Sequence, residues 1–599
     1  MAETAARLFV AAFLSALLLG LVFTWLARRL ALRLHVVAVP SEERWHRAPT
    51  PLLGGLAIVL AFILAGFVLK LFTSPAMQRL TLVSLGMFCW GLIDDLRQLR
   101  PNTKLLGQLA LCGVLLFLGF RLSLTGSSAL DIPLTLLWLV GITNAFNLLD
   151  NMNGLCGGIA LLVALFRAAL FAFEGEPRGA LLCLIFVGAT AGFLYFNFPM
   201  GRIFLGDGGS HFLGFWLAGI TLTGAHPYTK SYAALLAFPV LIMLVPIFDT
   251  TLVTITRRLS GRPVSIGGRD HLSHRLVAYG LADQQAVLVL WGISFLSGSL
   301  ALLAAMYGVG RFISIGAVSL LSLILFGIYM GRFEEKLPPT RLAEARVRRE
   351  LASRRLGLVL TALFDIALIV LSYHAAFLLR FEGILTSGNE RMFLSTLLEV
   401  VLIKLGVFVL LGVYQASWKY SSLEDALALG WTSVVASVTV VLYLFLVYRL
   451  WGFSRVVFVV DFILFTLLFI AFRFSFRILD RIAPQPLTGV KRVVIYPADD
   501  DGEIVLRLIL NKRQFAPVGF LDDDAHKIRD RIRGIPILGG FSDLGRLVEK
   551  HHIEAVVLAS EDPSRNLTVA EICQQQGLAL FRAELNIEEI RPLTVSGRA

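Results

Sequence analysis

LFVAAFLSALLLGLVFTWLA, from Leu8 to Ala27, is a run of twenty residues without a charge, and ~20 apolar residues is what a helix needs to cross the hydrocarbon core of a bilayer. Arg28, Arg29, Arg33, Arg44 and Arg47 follow it. Basic residues collect on the cytoplasmic side of a first span, so this loop is expected inside and the N-terminus outside. A cleaved signal peptide fits poorly, because the run is long for a signal core and is followed by arginines instead of a small-residue cleavage site. The pattern recurs at Leu53–Phe72, Leu80–Ile93, Leu105–Leu122, Ile132–Leu149, Leu155–Phe173, Ala180–Phe198, His211–Leu222, Tyr232–Val253, Ala286–Met306 and Phe312–Met330. Four more runs follow: Leu356–Leu379, Met392–Val413, Ala428–Val447 and Val456–Ala471.

The composition agrees. The chain has 599 residues, 57% hydrophobic and 16% charged, with a mean hydropathy of +0.76. These values exclude an all-globular cytoplasmic enzyme. Five scattered cysteines exclude a secreted disulfide scaffold. The net charge of +12 comes with no nucleic-acid motif, and arginines flanking spans suit membrane topology and anionic lipid. Alternating sides from an outside N-terminus puts the loop with Arg257, Arg258, Arg262, Arg269 and Arg275 in the cytoplasm, together with the charged stretch around Pro338-Pro339. From Lys491 onward, short β-branched runs alternate with polar helical stretches. The expected fold is a polytopic α-helical membrane protein with about 11 + 4 transmembrane helices and a small C-terminal cytoplasmic α/β Rossmann-like domain. Its expected divisions are a membrane domain at 1–330, a charged cytoplasmic linker at 331–355, a four-helix membrane unit at 356–480 and the α/β module at 491–599. Strands are expected at Arg492–Tyr496, Val518–Leu521, Ile535–Leu538, Ala555–Ala559 and Leu578–Phe581.

Acids at the ends of apolar spans are costly to desolvate and mark candidate sites. Asp94 and Asp95, Asp150, Asp207 and Asp249 all fall on the expected cytoplasmic face, as do Arg269, His271, His274 and Arg275. A single polar cleft accounts for that agreement. Carboxylates and an amide oxygen suit Mg²⁺, while Arg and His donate to phosphoryl oxygens, so the residue types point to chemistry on a diphosphate. Gly206-Asp207-Gly208-Gly209 would let backbone approach a phosphate, although such turns between membrane helices also occur without a ligand. Other readings stand beside these. Asp94 and Asp95 suit a solvated helix end, Asp249 suits a hydrogen bond to a neighbouring helix, and His46 beside Trp45 suits an interfacial anchor as well as a site. His211 reads as structural.

Four motifs in order carry a resemblance. They are Asp94-Asp95 followed by Asn102-Thr103-Lys104, Asn144-Ala145-Phe146-Asn147-Leu148-Leu149-Asp150-Asn151-Met152-Asn153-Gly154, Phe204-Leu205-Gly206-Asp207-Gly208-Gly209-Ser210, and Asp270-His271-Leu272-Ser273-His274-Arg275. Across roughly the first 330 residues the chain resembles the polyprenyl-phosphate N-acetylhexosamine-1-phosphate transferases. The resemblance implies transfer of a sugar-1-phosphate from a UDP-N-acetylhexosamine to a polyprenyl phosphate such as undecaprenyl phosphate, with release of UMP and a requirement for Mg²⁺ or Mn²⁺. It implies Asp207 and Asn147 as metal ligands, Asp94 and Asp95 as residues that position or deprotonate the lipid phosphate, and Asp150 as support for the nucleotide and metal. Lys104, Asn144, Asn153, Arg269, His271, His274 and Arg275 fall to substrate binding, with His46 and Asp249 at the margin. Asn153 stands where many relatives carry an Asp, which keeps an acceptor oxygen and loses a charge.

The second half resembles the N-terminal membrane and Rossmann-like part of membrane-bound nucleotide-sugar epimerase/dehydratases, through Leu356–Arg380, Gly412-Val413-Tyr414 and Pro517–Asp524 with Gly534–Gly539. No dinucleotide is expected there, since Tyr496-Pro497-Ala498-Asp499-Asp500-Asp501-Gly502 offers one glycine and three acids where phosphates would lie. The expectation as a whole is an enzyme of the bacterial inner membrane that starts lipid-linked glycan synthesis. Its module would dock other glycan-assembly enzymes, nucleic acid is no partner, and a homodimer is compatible with the sequence. A transporter or flippase of lipid-linked sugars is the alternative, disfavoured because the acids cluster at one face instead of the bilayer midplane. A scaffold that recruits glycan enzymes is compatible with either.

Overall fold

The computed structural model describes residues 2–38, 50–223, 238–259, 268, 270–307, 312, 315–316, 318–323, 326, 343–381, 386–414, 423–482, 491–512, 515–528, 530–559 and 563–583. It forms two compact units, Met1–Pro484 and Gln485–Ala599.

The first unit opens with α1 (Ala2–Arg33), a short antiparallel pair β1 (Val37–Ala38) and β2 (Thr50–Pro51), then α2 (Gly54–Val68), α3 (Pro75–Arg97), α4 (Pro101–Phe117), α5 (Ser128–Leu149), α6 (Leu155–Phe173), α7 (Pro177–Asn197) and α8 (Gly206–Ile220). It continues with α9 (Leu244–Leu259), α10 (Leu272–Ala278) and α11 (Asp283–Tyr307). Small residues set the packing where apolar contact alone gives little direction between membrane helices. Ala12, Ala16, Gly20 and Thr24 recur every fourth residue on α1 and are fully buried or lie at its α7 seam. A Cβ on Gly20 would stand 2.7 Å from the Ala189 carbonyl oxygen, and one on Gly192 would stand 2.6 Å from the Gly20 carbonyl carbon. Deeper in, Phe186 stacks on Trp216 at 4.5 Å and Phe62 meets both edge-on.

Among the described residues ten helices are long and apolar enough to cross a membrane, and the 15-residue Gly54–Val68 is a shorter apolar one. The chain is thus a multi-pass membrane protein in outline. The expected spans at Leu105–Leu122 and His211–Leu222 lie on the 17-residue α4 and the 15-residue α8, and those at Tyr232–Val253 and Phe312–Met330 are only partly described. Two boundaries differ from expectation. Helix α9 runs on past Val253 to Leu259 and carries Arg257 and Arg258, which the charge pattern had assigned to a loop. The second half begins with α12 (Ala343–Arg380), one 38-residue helix, so residues 343–355 of the expected linker are helical. The stretch Ala343–Leu356 contains no Gly or Pro and is rich in Ala, Arg, Glu and Leu, all strong helix formers.

With α13 (Ser387–Leu410), α14 (Leu423–Tyr448) and α15 (Arg455–Ile482), α12 forms a four-helix group. Two buried ion pairs cross it. Lys404 Nζ reaches Asp461 Oδ2 at 2.7 Å, with Ser372 Oγ donating to Asp461 Oδ1 at 2.7 Å, and Arg473 Nη2 reaches Asp365 Oδ2 at 2.6 Å.

The second unit is a six-stranded sheet, in order β5-β6-β4-β3-β7-β8. Its strands are β3 (Lys491–Tyr496), β4 (Phe515–Leu521), β5 (Arg531–Ile532), β6 (Ile535–Gly539), β7 (Ala555–Leu558) and β8 (Ala579–Arg582). All neighbours pair in parallel except the short edge β5, which forms an antiparallel hairpin with β6 and was not foreseen. Val493 and Ile495 face one core while Val494 and Tyr496 face another, as a strand covered on both faces requires.

Candidate active site at one end of the helix bundle

The loop before α8 is pinned by backbone. Gly54 and Gly55 N–H donate to the carbonyls of Phe204 and Leu205 at 2.9 Å each, and Phe204 N–H donates to the Pro51 carbonyl at 2.8 Å. A Cβ on Gly55 would stand 2.3 Å from Gly209 Cα, and one on Gly208 would stand 3.1 Å from Leu92 N. Close helix packing therefore calls for glycine at 208 and 209. Gly206, at φ +78°, makes the turn that starts α8.

Asp95 then closes that start. Its carboxylate accepts the N–H of Asp207 at 2.8 Å and of Gly208 at 3.0 Å, two of the donors that a helix leaves without partners in its first turn. Asp95 is thus a cap supplied by α3 to α8, and both of its oxygens are engaged. Asp94, one residue earlier, accepts Leu99 N–H on Oδ1 at 2.7 Å and turns Oδ2 toward Lys104.

Lys104 is the centre of the site. Its Nζ lies 2.8 Å from Asp94 Oδ2, 2.7 Å from Asp207 Oδ2 and 3.1 Å from Asn147 Oδ1. Asn147 is held in that orientation because its Nδ2 donates to Asp207 Oδ1 at 2.8 Å and to Ser210 Oγ at 3.0 Å. Three oxygens of hard character, from α3, α5 and α8, thus converge on one cationic group. Asp94, Asp207 and Asn147 fit Mg²⁺, which prefers such donors and keeps several waters. Among the described residues no three carboxylate, imidazole or thiolate side chains gather as a metal site, so the amide and water would complete the shell. Asn144, expected to bind substrate, is half-buried and paired with Gln108. Its Nδ2 donates to Gln108 Oε1 at 2.9 Å, and its Oδ1 accepts from Gln108 Nε2 at 3.3 Å.

A second group surrounds α10. Asp249 Oδ2 lies 2.7 Å from His271 Nδ1 while Oδ1 accepts Leu272 N–H at 2.6 Å, so one carboxylate from α9 orients the histidine and caps the short helix. This arrangement places the ring proton on Nδ1. Arg257 forms a two-pronged pair with Asp270, at 2.7 Å from Nε and 2.6 Å from Nη2. Burial alone would raise the Asp270 carboxyl, but the guanidinium more than offsets it and holds the group below the usual carboxylate range. Arg275 is buried and donates through Nε to the Asp270 carbonyl at 2.7 Å and through Nη2 to Thr256 Oγ1 at 3.2 Å. It braces the segment. His274 lies with its ring 6.1 Å from that of His271. The two groups are joined along the end of α5, where Asn151 accepts from Ser273 Oγ at 2.9 Å. Asp150 sits half-buried at the C-cap of α5, and a Cβ on Gly201 would touch Asn153. His46 and Arg269 lie outside the described residues.

Several residues here escaped sequence reading. Gln108 lies beneath the site, buried against His211, the residue read above as structural. Asn197 donates to the Ile203 carbonyl at 2.8 Å and accepts Gly154 N–H at 2.6 Å, tying the α5–α6 turn to the loop before α8. The signal for Gln108 was its position one turn after Lys104 on an otherwise apolar helix. For Asn151 it was the run Asn144, Asn147, Asn151, which shares one helix face.

Residues 77–225 match the family described as glycosyl transferase family 4, and residues 410–561 match one described as a CoA-binding domain. The chain is 34% identical over 297 residues to the probable undecaprenyl-phosphate N-acetylglucosaminyl 1-phosphate transferase of Bacillus subtilis (strain 168), covering 48% of this chain and 82% of that protein. It is 34% identical to the decaprenyl-phosphate N-acetylglucosaminephosphotransferase of Mycobacterium tuberculosis (strain H37Rv), covering 44% of this chain and 74% of the relative. It is 31% identical to a phospho-N-acetylmuramoyl-pentapeptide-transferase of Heliobacterium modesticaldum, covering 49% and 97% respectively.

Proposed function

The chain belongs to the polyprenyl-phosphate N-acetylhexosamine-1-phosphate transferases of glycosyl transferase family 4, and from that premise we propose that it starts a lipid-linked glycan by moving N-acetylhexosamine-1-phosphate from a UDP-sugar to polyprenyl phosphate. An oxygen of the lipid phosphate attacks the sugar-bearing phosphorus, the bond to the uridylyl phosphate breaks, and UMP leaves. The convergence of Asp94, Asp207 and Asn147 on Lys104 carries this reading.

A bound Mg²⁺ would lower the negative charge on the diphosphate and steady the leaving oxygen. Asp94, Asp207 and Asn147 would hold it, and Lys104, displaced from their midst, would turn to a phosphoryl oxygen. Asp95 keeps the first turn of α8 wound so that Asp207 stays in place. Asp249 orients the His271 ring through Nδ1, which leaves Nε2 for the diphosphate. Asp150 and Asn153, on the turn that Asn197 and Ser273 brace, would meet the nucleotide or sugar. The reaction would take place on the cytoplasmic face of the inner membrane, where the arginine-rich loops are expected. UMP release by the purified protein, dependent on polyprenyl phosphate, a UDP-N-acetylhexosamine and Mg²⁺ or Mn²⁺ together, tests the proposal.

The α/β module we read as a non-catalytic docking domain after the four-helix group. Its carboxyl edge does not fit a nucleotide diphosphate, whether from coenzyme A or a dinucleotide. Asp499 Oδ1 accepts Gly502 N–H at 2.9 Å and so fills the helix start where a pyrophosphate would sit. Lys527 is committed to Asp522 at 2.8 Å and to the Ala498 carbonyl at 3.2 Å. Two further acids, Asp500 and Asp501, occupy the first turn.

A further inference from the structure

Three helices each place two polar residues one turn apart where they meet: Lys104 and Gln108 on α4, Asn144 and Asn147 on α5, Asp207 and His211 on α8. They sort into two layers. The upper layer, Lys104, Asn147 and Asp207, is the site itself, with side-chain exposures of 19% for Lys104 and 34% for Asp207. The lower layer lies one turn further along the same helices, about 5 Å away, and both Gln108 and His211 are fully buried.

The lower layer is a hydrogen-bonded ladder in which His211 Nδ1 alone is buried without a partner among the described residues. Gln108 Nε2 donates one hydrogen to Asn144 Oδ1 at 3.3 Å and lies 2.9 Å from His211 Nε2, while Gln108 Oε1 accepts from Asn144 Nδ2 at 2.9 Å. Asn144 Nδ2 also donates to the Val140 carbonyl at 2.9 Å. With both amide hydrogens of Gln108 in use, His211 Nε2 is the acceptor. Apolar side chains in this place would pack without fixing the rotation of a helix about its axis, because lipid and leucine offer similar contacts. A set of donors and acceptors with assigned partners does fix it.

We propose that Gln108, Asn144 and His211 are positioning residues whose hydrogen-bonded ladder sets the rotation of α4, α5 and α8 and so keeps Lys104, Asn147 and Asp207 convergent. Polar head groups stand about 5–6 Å from a helix axis, so a rotation of about 15° moves one by about 1.5 Å. That displacement breaks contacts of 2.7–3.1 Å, and misplacement by ~1 Å can cost ~100-fold in rate. The activity arm of the test rests on the transfer reaction proposed above, while the metal-binding arm does not.

The test uses the full chain in nanodiscs, with Gln108→Met, which removes the hydrogen bonds at similar length, and with His211→Leu against His211→Gln, which restores an acceptor. Mn²⁺ binding is read by electron paramagnetic resonance without substrates, alongside kcat, KM and thermal unfolding. Gln108→Met and His211→Leu should lower kcat roughly 30- to 100-fold and weaken Mn²⁺ binding about tenfold, with KM for the UDP-sugar within about threefold and unfolding little changed. His211→Gln should recover most of both losses. Wild-type kcat and Mn²⁺ affinity in Gln108→Met, or losses that merely track the amount of unfolded protein, would overturn the proposal. Wild-type protein without turnover, but with Mn²⁺ binding that Gln108→Met weakens, would sink the transfer reaction and uphold the ladder.

Discussion

Asp95→Ala should slow transfer through the metal site and leave affinity for the lipid phosphate alone. The carboxylate caps two N–H groups in the first turn of α8, at 2.8 and 3.0 Å, and contacts Lys104 in none of the bonds that define the site. A cap of this kind is worth ~0.5–2 kcal/mol, and a negative charge at a helix N-terminus adds ~0.3–1 kcal/mol. About 0.8–3 kcal/mol is therefore at stake in keeping that turn wound. If the whole loss appears as a smaller population with Asp207 in place, the rate falls roughly 4- to 150-fold. Asp95→Asn keeps one acceptor oxygen and turns an NH₂ toward a donor, so about tenfold is expected, between the two extremes. The assay is UMP release at varied Mg²⁺ and varied polyprenyl phosphate. Half-maximal Mg²⁺ should rise and kcat should fall, with KM for the acceptor unchanged. A raised acceptor KM at unaltered Mg²⁺ dependence would refute the capping argument and return Asp95 to the lipid phosphate.

Asp207→Asn removes a charge at nearly constant volume, so turnover should fall at least ~100-fold with weakened Mg²⁺ dependence, while size-exclusion elution stays that of the wild type. Because Asp270 sits below the ordinary carboxylate value of 3.8 when folded, its pairing with Arg257 stabilises the fold above that value and the contribution disappears as the pH falls through the lower folded one. Arg257→Met should accordingly reduce the melting temperature at pH 7 more than at pH 3, and an equal reduction at both would remove the ion pair from the account. Truncation before Leu356 should leave UMP release within about threefold of the full chain, as expected for a region holding none of the transfer groups. The full chain should also carry no coenzyme A or NAD(P) through purification, and a stoichiometric nucleotide in the released small molecules would contradict the reading of the α/β module.

Much of this molecule was legible because twenty-residue apolar runs leave a chain few alternatives in lipid. The five expected strands of the α/β module likewise coincide with observed strands to within a few residues. Helix ends were harder. Arg257 and Arg258 read as loop by charge, yet α9 continues through them and carries Arg257 to its partner Asp270. The candidate site residues were named from motifs, but their individual orientations depend on how the chain leaves a helix. Gln98, at φ +49° after α3, turns Leu99 N–H back onto Asp94, and no local pattern announces that turn. The split between Asn147 at the site and Asn144 beneath it follows from Gln108 on another helix, a contact between distant parts of the sequence. The ion pairs Lys404–Asp461 and Asp365–Arg473 had a readable signal, an ionisable residue inside an apolar run, and only the partner choice needed the fold.

The central claim is that Asp94, Asp207 and Asn147 gather a divalent cation for sugar-1-phosphate transfer. The most direct measurement is UMP release by the purified chain in the presence of UDP-N-acetylglucosamine and UDP-N-acetylgalactosamine in turn, with polyprenyl phosphate, and with Mg²⁺ supplied or chelated. Release with at least one donor that needs both lipid phosphate and Mg²⁺, and that Asp207→Asn abolishes, is the predicted result. Release that persists under chelation or in Asp207→Asn, or none with any UDP-N-acetylhexosamine from well-folded protein, would contradict it.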